Sequence, residues 1–320
     1  MQATAKIGAM NSLVLASLLP VIVLIAAGFA SARLGWIRSE SVKDLSNLVF
    51  LLLTPALLFR TMSRVHVEQL DFKPVLAYLL AVVLLAAGTF LLQGFNRRAA
   101  VLALAVTYSN AIMIGIALVT LVFGPAGLVI LLTLVSVHSL ILLTSATVLL
   151  ELALARESLP GSAPRHVLAT VFKALQNAIW HPVSLPLLAG LAFAQTGWQL
   201  PPALDMPLEL MAKAFSPVAL LLVGVTLAYT PVGPHWRPAL ALAGVKNIVH
   251  PLLVYGLCLW LGVQGLPMTV MVVAAALPMG ANVFLFSQRY GVAQELITAS
   301  VAVSTALALL TLTLALMLVS

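Results

Sequence analysis

Two short polar stretches interrupt long apolar segments of the chain, at Thr107–Asn110 and at Leu277–Asn282. The second brings Pro278, Gly280 and Asn282 together within five residues. Proline removes a backbone donor, glycine loosens the backbone, and an asparagine amide cannot be satisfied by hydrocarbon. Freed backbone at membrane depth is tolerated only where protein or a wet cavity satisfies it. A pair of interrupted segments, one in each half of a chain, is typical of a transporter's substrate site.

The chemistry that these stretches favour is the binding of a carboxylate. Asn110 lies 12 residues into its apolar segment and Asn282 lies 15 into its own, which puts both near the middle of a bilayer core about 30 Å thick. Helix ends there would present unpaired N–H groups and a partial positive charge. The alternative is that each asparagine caps its own break or bonds a neighbouring helix. Ser109, Gly115, Pro278 and Gly280 complete the candidate substrate-binding set around the breaks.

Three further ionisable residues with a candidate role in binding or proton coupling lie inside apolar segments. Lys246 is the deepest basic residue and His250 follows one turn later on the same helix face, so both join the candidate substrate-binding set. The alternative for Lys246 is that its long stem carries the amine to the membrane interface. His138 and His250 are candidates for proton-linked transport, although for His138, among its polar neighbours, a neutral, hydrogen-bonded side chain is the favoured interpretation. Glu209 and Lys213 have the i,i+4 spacing of a structural ion pair.

The composition indicates an integral membrane protein. Hydrophobic residues make up 62% of the 320 residues and charged residues only 8%, against about 25% charged in soluble domains. The net charge of +7 comes from basic residues near segment ends, so nucleic acid is not an expected partner. No carboxylate lies at mid-membrane, and no metalloprotease, phosphate-loop or nucleophile-elbow motif occurs. We therefore expect no enzyme activity, no cofactor and no metal site.

Ten apolar segments are long enough to cross a bilayer. These predicted spans, numbered one to ten, cover residues 11–33, 42–62, 74–94, 98–123, 125–150, 171–195, 206–229, 238–262, 267–289 and 293–319. The longest connection, 153–167, divides the chain into a first half, 1–152, and a second half, 168–320. The predicted fold class is therefore an all-α membrane protein of ten transmembrane helices.

The two halves resemble each other in sequence. Residues 20–36 and 182–198 are identical at eight of 17 positions at an offset of 162. Asn110 and Asn282 pair at an offset of 172. Because each half has five spans, the second half enters the membrane from the opposite side, which predicts two inverted five-helix repeats.

Basic residues set the predicted orientation. With the N-terminus outside, ten lie on the cytoplasmic side: Arg33, Arg38, Lys43, Arg97, Arg98, Arg156, Arg165, Lys173, Arg237 and Arg289. Four lie outside: Lys6, Arg60, Arg64 and Lys73. Both termini are therefore expected to face out.

Five segments, distributed over nearly the whole chain, resemble the auxin efflux carrier family, which includes plant PIN-type carriers and many bacterial members. They are NLVFLLLTPALLF at 47–59, SNAIMIGIALVTLVFGPAG at 109–127, FSPVALLLVGVTL at 215–227, KNIVHP at 246–251 and LPMGANVFLFSQRYG at 277–291. The family usually has a proline at the position of Ala117, so the first break here depends on Asn110 and Gly115.

The resemblance implies broken fourth and ninth spans that cross each other. It also implies a scaffold domain of spans 1, 2, 6 and 7, a mobile transport domain of spans 3–5 and 8–10, elevator-type movement, and a homodimer in a bacterial inner membrane. The implied substrates are small organic anions, such as an auxin-like acid, malate or malonate. The alternatives are a sodium-coupled bile-acid-type carrier of related architecture and, from other classes, a membrane receptor or a membrane enzyme.

Overall fold

The computed structural model describes residues 2–157, 172, 176 and 183–319, and all secondary structure in that part of the chain is helical apart from one isolated bridge between Ser109 and Met279. This confirms the predicted all-α class. Apart from residues 172 and 176, the start of the sixth predicted span, with Lys173, lies outside the described residues. So do residues 158–167 of the predicted linker, with Arg165. The first five linker residues are helical, because the preceding helix continues to Glu157.

Helices occupy the apolar segments that the sequence predicts, and we number them in chain order. They are α1 Gln2–Arg33, α2 Ser41–Met62, α3 Lys73–Gln93, α4 Arg97–Thr107, α5 Ala111–Glu157, α6 Ser184–Gln195, α7 Pro202–Tyr229, α8 Gly233–Trp260, α9 Gly265–Ala276, α10 Asn282–Tyr290 and α11 Gln294–Val319. The fourth predicted span thus consists of α4 and the start of α5, and the ninth consists of α9 and α10. Between the fourth and fifth predicted spans, α5 bends at Gly124, which has a φ of 61°.

By length and apolar composition, five of the described helices could each cross a membrane, namely α2, α3, α5, α7 and α8. The number is six if the two bent parts of α11 form one span. The other predicted spans do not meet this test in the described part of the chain, so the count of ten crossings and the inverted repeat remain predictions.

Prolines inside α2 and α8 coincide with widened helical turns. A π-helical turn at Val49–Leu53 precedes Pro55, and another at Val245–Val249 precedes Pro251. A proline lacks the N–H that would bond the preceding turn, and the wider turn accommodates its ring. In α2 the hydroxyl of Thr54 donates to the carbonyl oxygen of Val49 at 2.7 Å. In α8 the widened turn carries the buried side chains of Lys246 and Asn247.

Two glycines allow helices to touch backbone to backbone. A Cβ on Gly28 of α1 would overlap the carbonyl oxygen of Leu221 in α7. A Cβ on Gly190 of α6 would lie 2.5 Å from the carbonyl oxygen of Phe59 in α2. The two contacts correspond at the offset of 162, since residue 28 corresponds to 190 and residue 59 to 221. The sequence match between the two halves is therefore accompanied by a matching pair of helix contacts.

Candidate functional site

The two helix breaks meet and bond each other. The N–H of Asn110 donates to the carbonyl oxygen of Pro278 at 2.8 Å, and the N–H of Gly280 donates to the carbonyl oxygen of Tyr108 at 2.9 Å. Ser109 and Met279 face each other as an antiparallel bridge. Proline, glycine and asparagine interrupt the helices, and each break then supplies the backbone partners that the other lacks. We call residues 108–110 and 277–281 the crossing.

The bridge pairs residues of the two breaks at a different offset from the one that aligns the two asparagines in the sequence. Tyr108 corresponds to Pro278 and Asn110 to Gly280, which is an offset of 170 rather than the 172 that pairs the asparagines. Asn282 therefore lies two residues beyond the local equivalent of Asn110. The two asparagines are neighbours at one site, but they are not equivalent in its backbone.

Two helix N-termini begin at the crossing. The first turn of α5 follows Asn110, whose carbonyl oxygen accepts from the N–H of Gly115 at 3.0 Å, and α10 begins at Asn282. Among the described residues, the N–H groups of Met113, Ala281 and Asn282 have no acceptor. Unpaired N–H groups at helix N-termini carry partial positive charge and favour anions.

The side chains of the two asparagines differ in their contacts. The amide nitrogen of Asn282 donates to the hydroxyl of Tyr108 at 2.8 Å, and that hydroxyl also lies 3.0 Å from the hydroxyl of Ser139. The side chain of Asn110 has no hydrogen bond within the described residues. Asn110 is therefore available to a ligand, whereas Asn282 is oriented by Tyr108.

A cavity of about 780 Å³ opens at the crossing. Ser109, Asn110 and Gly280 line it from the crossing and Asn282 lines it from the start of α10. His138 and Ser139 line it from α5. Further lining residues come from the first turns of α2 and the last turn of α7: Val42, Ser46, Asn47, Phe50, Thr226 and Tyr229, with Thr230 and Pro231 after α7. The described lining residues include no aspartate, glutamate, lysine or arginine. The cavity therefore combines neutral polar groups with apolar surface.

A buried tyrosine connects both histidines to the crossing. The hydroxyl of Tyr78 lies 2.8 Å from the hydroxyl of Ser109 and 3.4 Å from Nε2 of His138. The ring of His250 packs against Tyr78 with 5.0 Å between ring centroids. His138 lines the cavity, whereas His250 is fully buried behind Tyr78 and neither of its ring nitrogens has a partner in the described part of the protein.

Lys246 lies outside the cavity lining and contacts the crossing from behind. Its Nζ donates to the carbonyl oxygens of Ala275 and Leu277, at 2.6 and 2.7 Å. Both are carbonyls that the broken helix α9 leaves without an intrahelical donor. The side chain is fully buried, so the amine caps the C-terminus of α9 and does not extend to the membrane interface.

Neighbouring polar residues hold the backbone of the second break. The hydroxyl of Ser304 accepts from the N–H of Met279 at 2.9 Å and donates to Oδ1 of Asn247 at 2.7 Å. The amide nitrogen of Asn247 donates to the carbonyl oxygen of Ser304 at 2.8 Å. Pro278 contributes its carbonyl oxygen to the bridge, while neither Pro278 nor Gly115 lines the cavity.

Sequence reasoning missed Tyr78, Tyr108, Ser139 and Ser304 as site residues. The signal that could have identified Tyr78 is a tyrosine in the middle of an apolar span, where its hydroxyl needs a partner. Tyr108 stands within the first break itself. Ser139 and Ser304 carry no such signal, because serines in membrane helices commonly bond their own backbone.

Away from the crossing, the predicted ion pair between Glu209 and Lys213 is confirmed, with 2.6 Å between the charged atoms. Glu209 also accepts from Arg60 of α2 at 2.7 Å, and Arg60 bonds Asp205 at 2.7 Å. This cluster joins α2 to α7. The described residues hold no group of three or more histidine, cysteine, aspartate or glutamate residues that could bind a metal ion.

Comparison with known proteins identifies the family. A family model described as "Membrane transport protein" matches residues 13–316. A "Putative malonate transporter" of Rhizobium meliloti is 29% identical over 303 residues, which cover 92% of each chain. The "Uncharacterized transporter YfdV" of Escherichia coli (strain K12) is 28% identical over 306 residues, covering 90% of this chain and 91% of that protein.

A more distant relative is an "Uncharacterized transporter" of Methanothermobacter thermautotrophicus, which is 22% identical over 304 residues and covered to 95% of its length. The similarities extend over both halves of the chain and both helix breaks. They confirm the resemblance to the auxin efflux carriers that five sequence segments indicated. The chain belongs to the membrane transport protein family.

Proposed function

We propose that the protein is a secondary active carrier of a small organic anion, which binds at the crossing. The observation that carries this proposal is the bonding of the two breaks to each other, with the N-termini of α5 and α10 and the side chains of Asn110 and Asn282 at the wall of one cavity. N–H and amide donors are the groups that recognise a carboxylate. The described part of the cavity wall has no carboxylate that would repel one.

The relative described as a malonate transporter supports a carboxylate substrate and makes malonate the first ligand to test. We propose Asn110, Asn282, Ser109 and Gly280 as the residues in contact with it. Lys246, Gly115 and Pro278 support the crossing from outside the cavity. The substrate class thus extends to malate and to other small carboxylates that fit about 780 Å³.

We propose an elevator-type movement, with α1, α2, α6 and α7 as scaffold and the remaining helices as transport domain. The cavity supports this division, because α2 and α7 contribute one group of its lining residues and the crossing and α5 contribute another. The glycine contacts of α1 with α7 and of α6 with α2 would hold the scaffold together. The wall residues of α2 and α7 lie at the helix ends predicted to be cytoplasmic, so this conformation would face inward.

The larger architecture is part of the same proposal. We propose ten spans in two inverted repeats, with both termini outside, assembled as a homodimer in the bacterial inner membrane. The matching contacts of Gly28 and Gly190 and the local two-fold relation of the bridge support the inverted repeat. His138, on the cavity wall beside Tyr78, is the residue that we propose for proton coupling, with His250 behind it.

The decisive experiment is uptake by purified protein in liposomes. We expect saturable uptake of radiolabelled malonate, or of another small carboxylate that competes with it. Varying sodium at constant ionic strength separates a sodium-coupled carrier from one that does not use sodium. Binding without uptake would favour a receptor, and chemical conversion of the ligand would favour an enzyme.

A further inference from the structure

We infer that the crossing selects substrates bearing a single negative charge, and that Lys246 sets this selectivity without lining the cavity. The inference rests on the proposed function and narrows its substrate class from organic anions to singly charged ones. It starts from the helix ends at the crossing and from the partners of Lys246.

Four helix ends meet at the crossing. α5 and α10 begin there, and α4 and α9 end there, at Thr107 and Ala276. Each N-terminus is equivalent to roughly +0.5 elementary charge and each C-terminus to roughly −0.5. The four contributions cancel, so the helix ends alone give the crossing no net attraction for an anion.

Lys246 changes this balance because it binds one of the two C-termini. Its distances of 2.6 and 2.7 Å to the carbonyl oxygens of Ala275 and Leu277 are as short as those of charged donors. A lysine ammonium there offsets the negative end of α9 and leaves the crossing with a net charge of about +1. The substrate interacts with this positive charge at the two helix N-termini and does not contact the amine of Lys246.

The described residues around the cavity provide no second positive charge. The lining residues that can ionise are His138, Tyr108 and Tyr229, and none is a lysine or an arginine. Besides Lys246, the site contains two histidines, His138 on the cavity wall and the buried His250, which follows Lys246 by one turn of α8. One carboxylate is therefore matched, whereas a second carboxylate held in the same cavity is without a counter-charge, and burying an unpaired charge is strongly unfavourable.

The test compares three ligands of nearly equal size: malonate, its half-amide malonamate, and the neutral diamide malonamide. Their affinities for the purified protein are measured by competition against a bound radiolabelled carboxylate as the pH rises through the second ionisation of malonate. We expect the affinity for malonate to fall by about tenfold per pH unit above that ionisation, because only its monoanion binds. Malonamate stays singly charged and should bind equally well throughout.

Malonamate is also the control for the protein's own titration. Ionisation of His138 or His250 would change the affinities for malonate and malonamate alike, whereas the inference requires a change for malonate alone. Malonate binding that stays level or strengthens as the dianion forms would overturn the inference and leave the proposed function standing. Absence of binding and uptake for every small carboxylate would refute the proposed function and the inference together.

The variant Lys246→Gln keeps a hydrogen-bond donor and removes the charge. We expect its preference for malonamate over malonamide to fall about tenfold, the effect of one charge across roughly one helix diameter of 10 Å at an effective dielectric constant of about 20. Ser304→Ala is the matched control, since it removes the hydroxyl that accepts from the N–H of Met279 in the same break, and it removes no charge. It should keep the wild-type preference, even if overall affinity drops.

Two results would show that Lys246 has only a structural role. One is an unchanged preference for malonamate in a folded Lys246→Gln protein. The other is an equal loss of preference in Lys246→Gln and Ser304→Ala. Because the readout is a ratio of affinities within one protein, a partial loss of folded material does not affect it.

Discussion

Gly280 lies directly against the ring of Tyr108, so that a Cβ at position 280 would be 2.6 Å from Cδ1 of that ring. The same tyrosine accepts the backbone N–H of Gly280 at its carbonyl oxygen and the amide of Asn282 at its hydroxyl. The position of Tyr108 in the first break thus fixes the position of Asn282 at the second break. A side chain at position 280 would displace the ring of Tyr108, and with it the hydrogen bonds to the N–H of residue 280 and to the amide of Asn282.

We therefore expect Gly280→Ala to lose most transport, because the added methyl group must move Tyr108 and with it Asn282. Gly88→Ala in α3 is the control, since a Cβ there has no neighbour within 4 Å. Uptake in liposomes and thermal unfolding should be measured for both. Wild-type uptake by Gly280→Ala would mean that the crossing is loose enough to accept a side chain.

Substitutions of Asn282 distinguish a role in binding the substrate carboxylate from a purely structural role. Asn282→Ala removes a donor and should weaken binding of a carboxylate by about 1.5–3 kcal/mol, which is roughly ten- to a hundredfold. Asn282→Asp also puts a negative charge beside the N-terminus of α10, where it would repel an anion at poorly screened depth, so it should be the worse of the two in transport. If Asn282 serves only to hold Tyr108, aspartate should serve nearly as well, because a carboxylate can accept a hydrogen bond from the same hydroxyl. Substrate affinity in liposomes, with thermal unfolding alongside, distinguishes these outcomes.

The close contacts of Gly28 and Gly190 predict a loss of stability rather than of recognition. Gly28→Ala and Gly190→Ala should each destabilise the protein by about 1–3 kcal/mol, because the methyl group meets backbone that cannot move aside. Gly256→Ala, in open space on α8, should be neutral or slightly stabilising, since alanine favours a helix. Thermal unfolding in detergent checks this, and equal melting temperatures for all three variants would contradict the packing described here.

The ionic cluster between α2 and α7 predicts unequal effects of its cations. The side chain of Arg60 is 19% exposed and bonds two carboxylates, whereas that of Lys213 is 71% exposed and bonds one. We expect Arg60→Met to cost about 1–3 kcal/mol and Lys213→Met less than about 0.5 kcal/mol, because exposed pairs are screened by water. Comparable unfolding temperatures for the two variants would show that Arg60 is as dispensable as Lys213.

Orientation can be tested with single cysteines in a Cys258→Ala background. Ser39, between α1 and α2, should be labelled from the cytoplasm as Ser39→Cys, and Gln199, between α6 and α7, should be labelled from outside as Gln199→Cys. Both positions are exposed, so absence of labelling would not follow from burial. The opposite pattern would invert the topology inferred from the basic residues.

The sequence by itself determined the features that arise from local chemistry. Apolar segments of membrane length form helices because hydrocarbon satisfies no backbone group. Those helices break where Asn110 and the stretch from Pro278 to Asn282 interrupt them. The i,i+4 pair of Glu209 and Lys213 depends only on helix geometry and could likewise be predicted.

The tertiary structure alone decided which groups meet across the chain. Lys246 binds a carbonyl 31 residues away, and Asn282 bonds a tyrosine 174 residues away, so no local pattern specifies either partner. The bridge pairs the two breaks at an offset of 170, two less than the offset of 172 between the asparagines, because the pairing is set by which backbone groups the two breaks leave unpaired. Freed N–H and C=O groups at membrane depth must find partners wherever the fold brings them. For that reason the sequence could indicate both breaks, while only the folded chain determined that they bond each other and that Lys246 caps one of them.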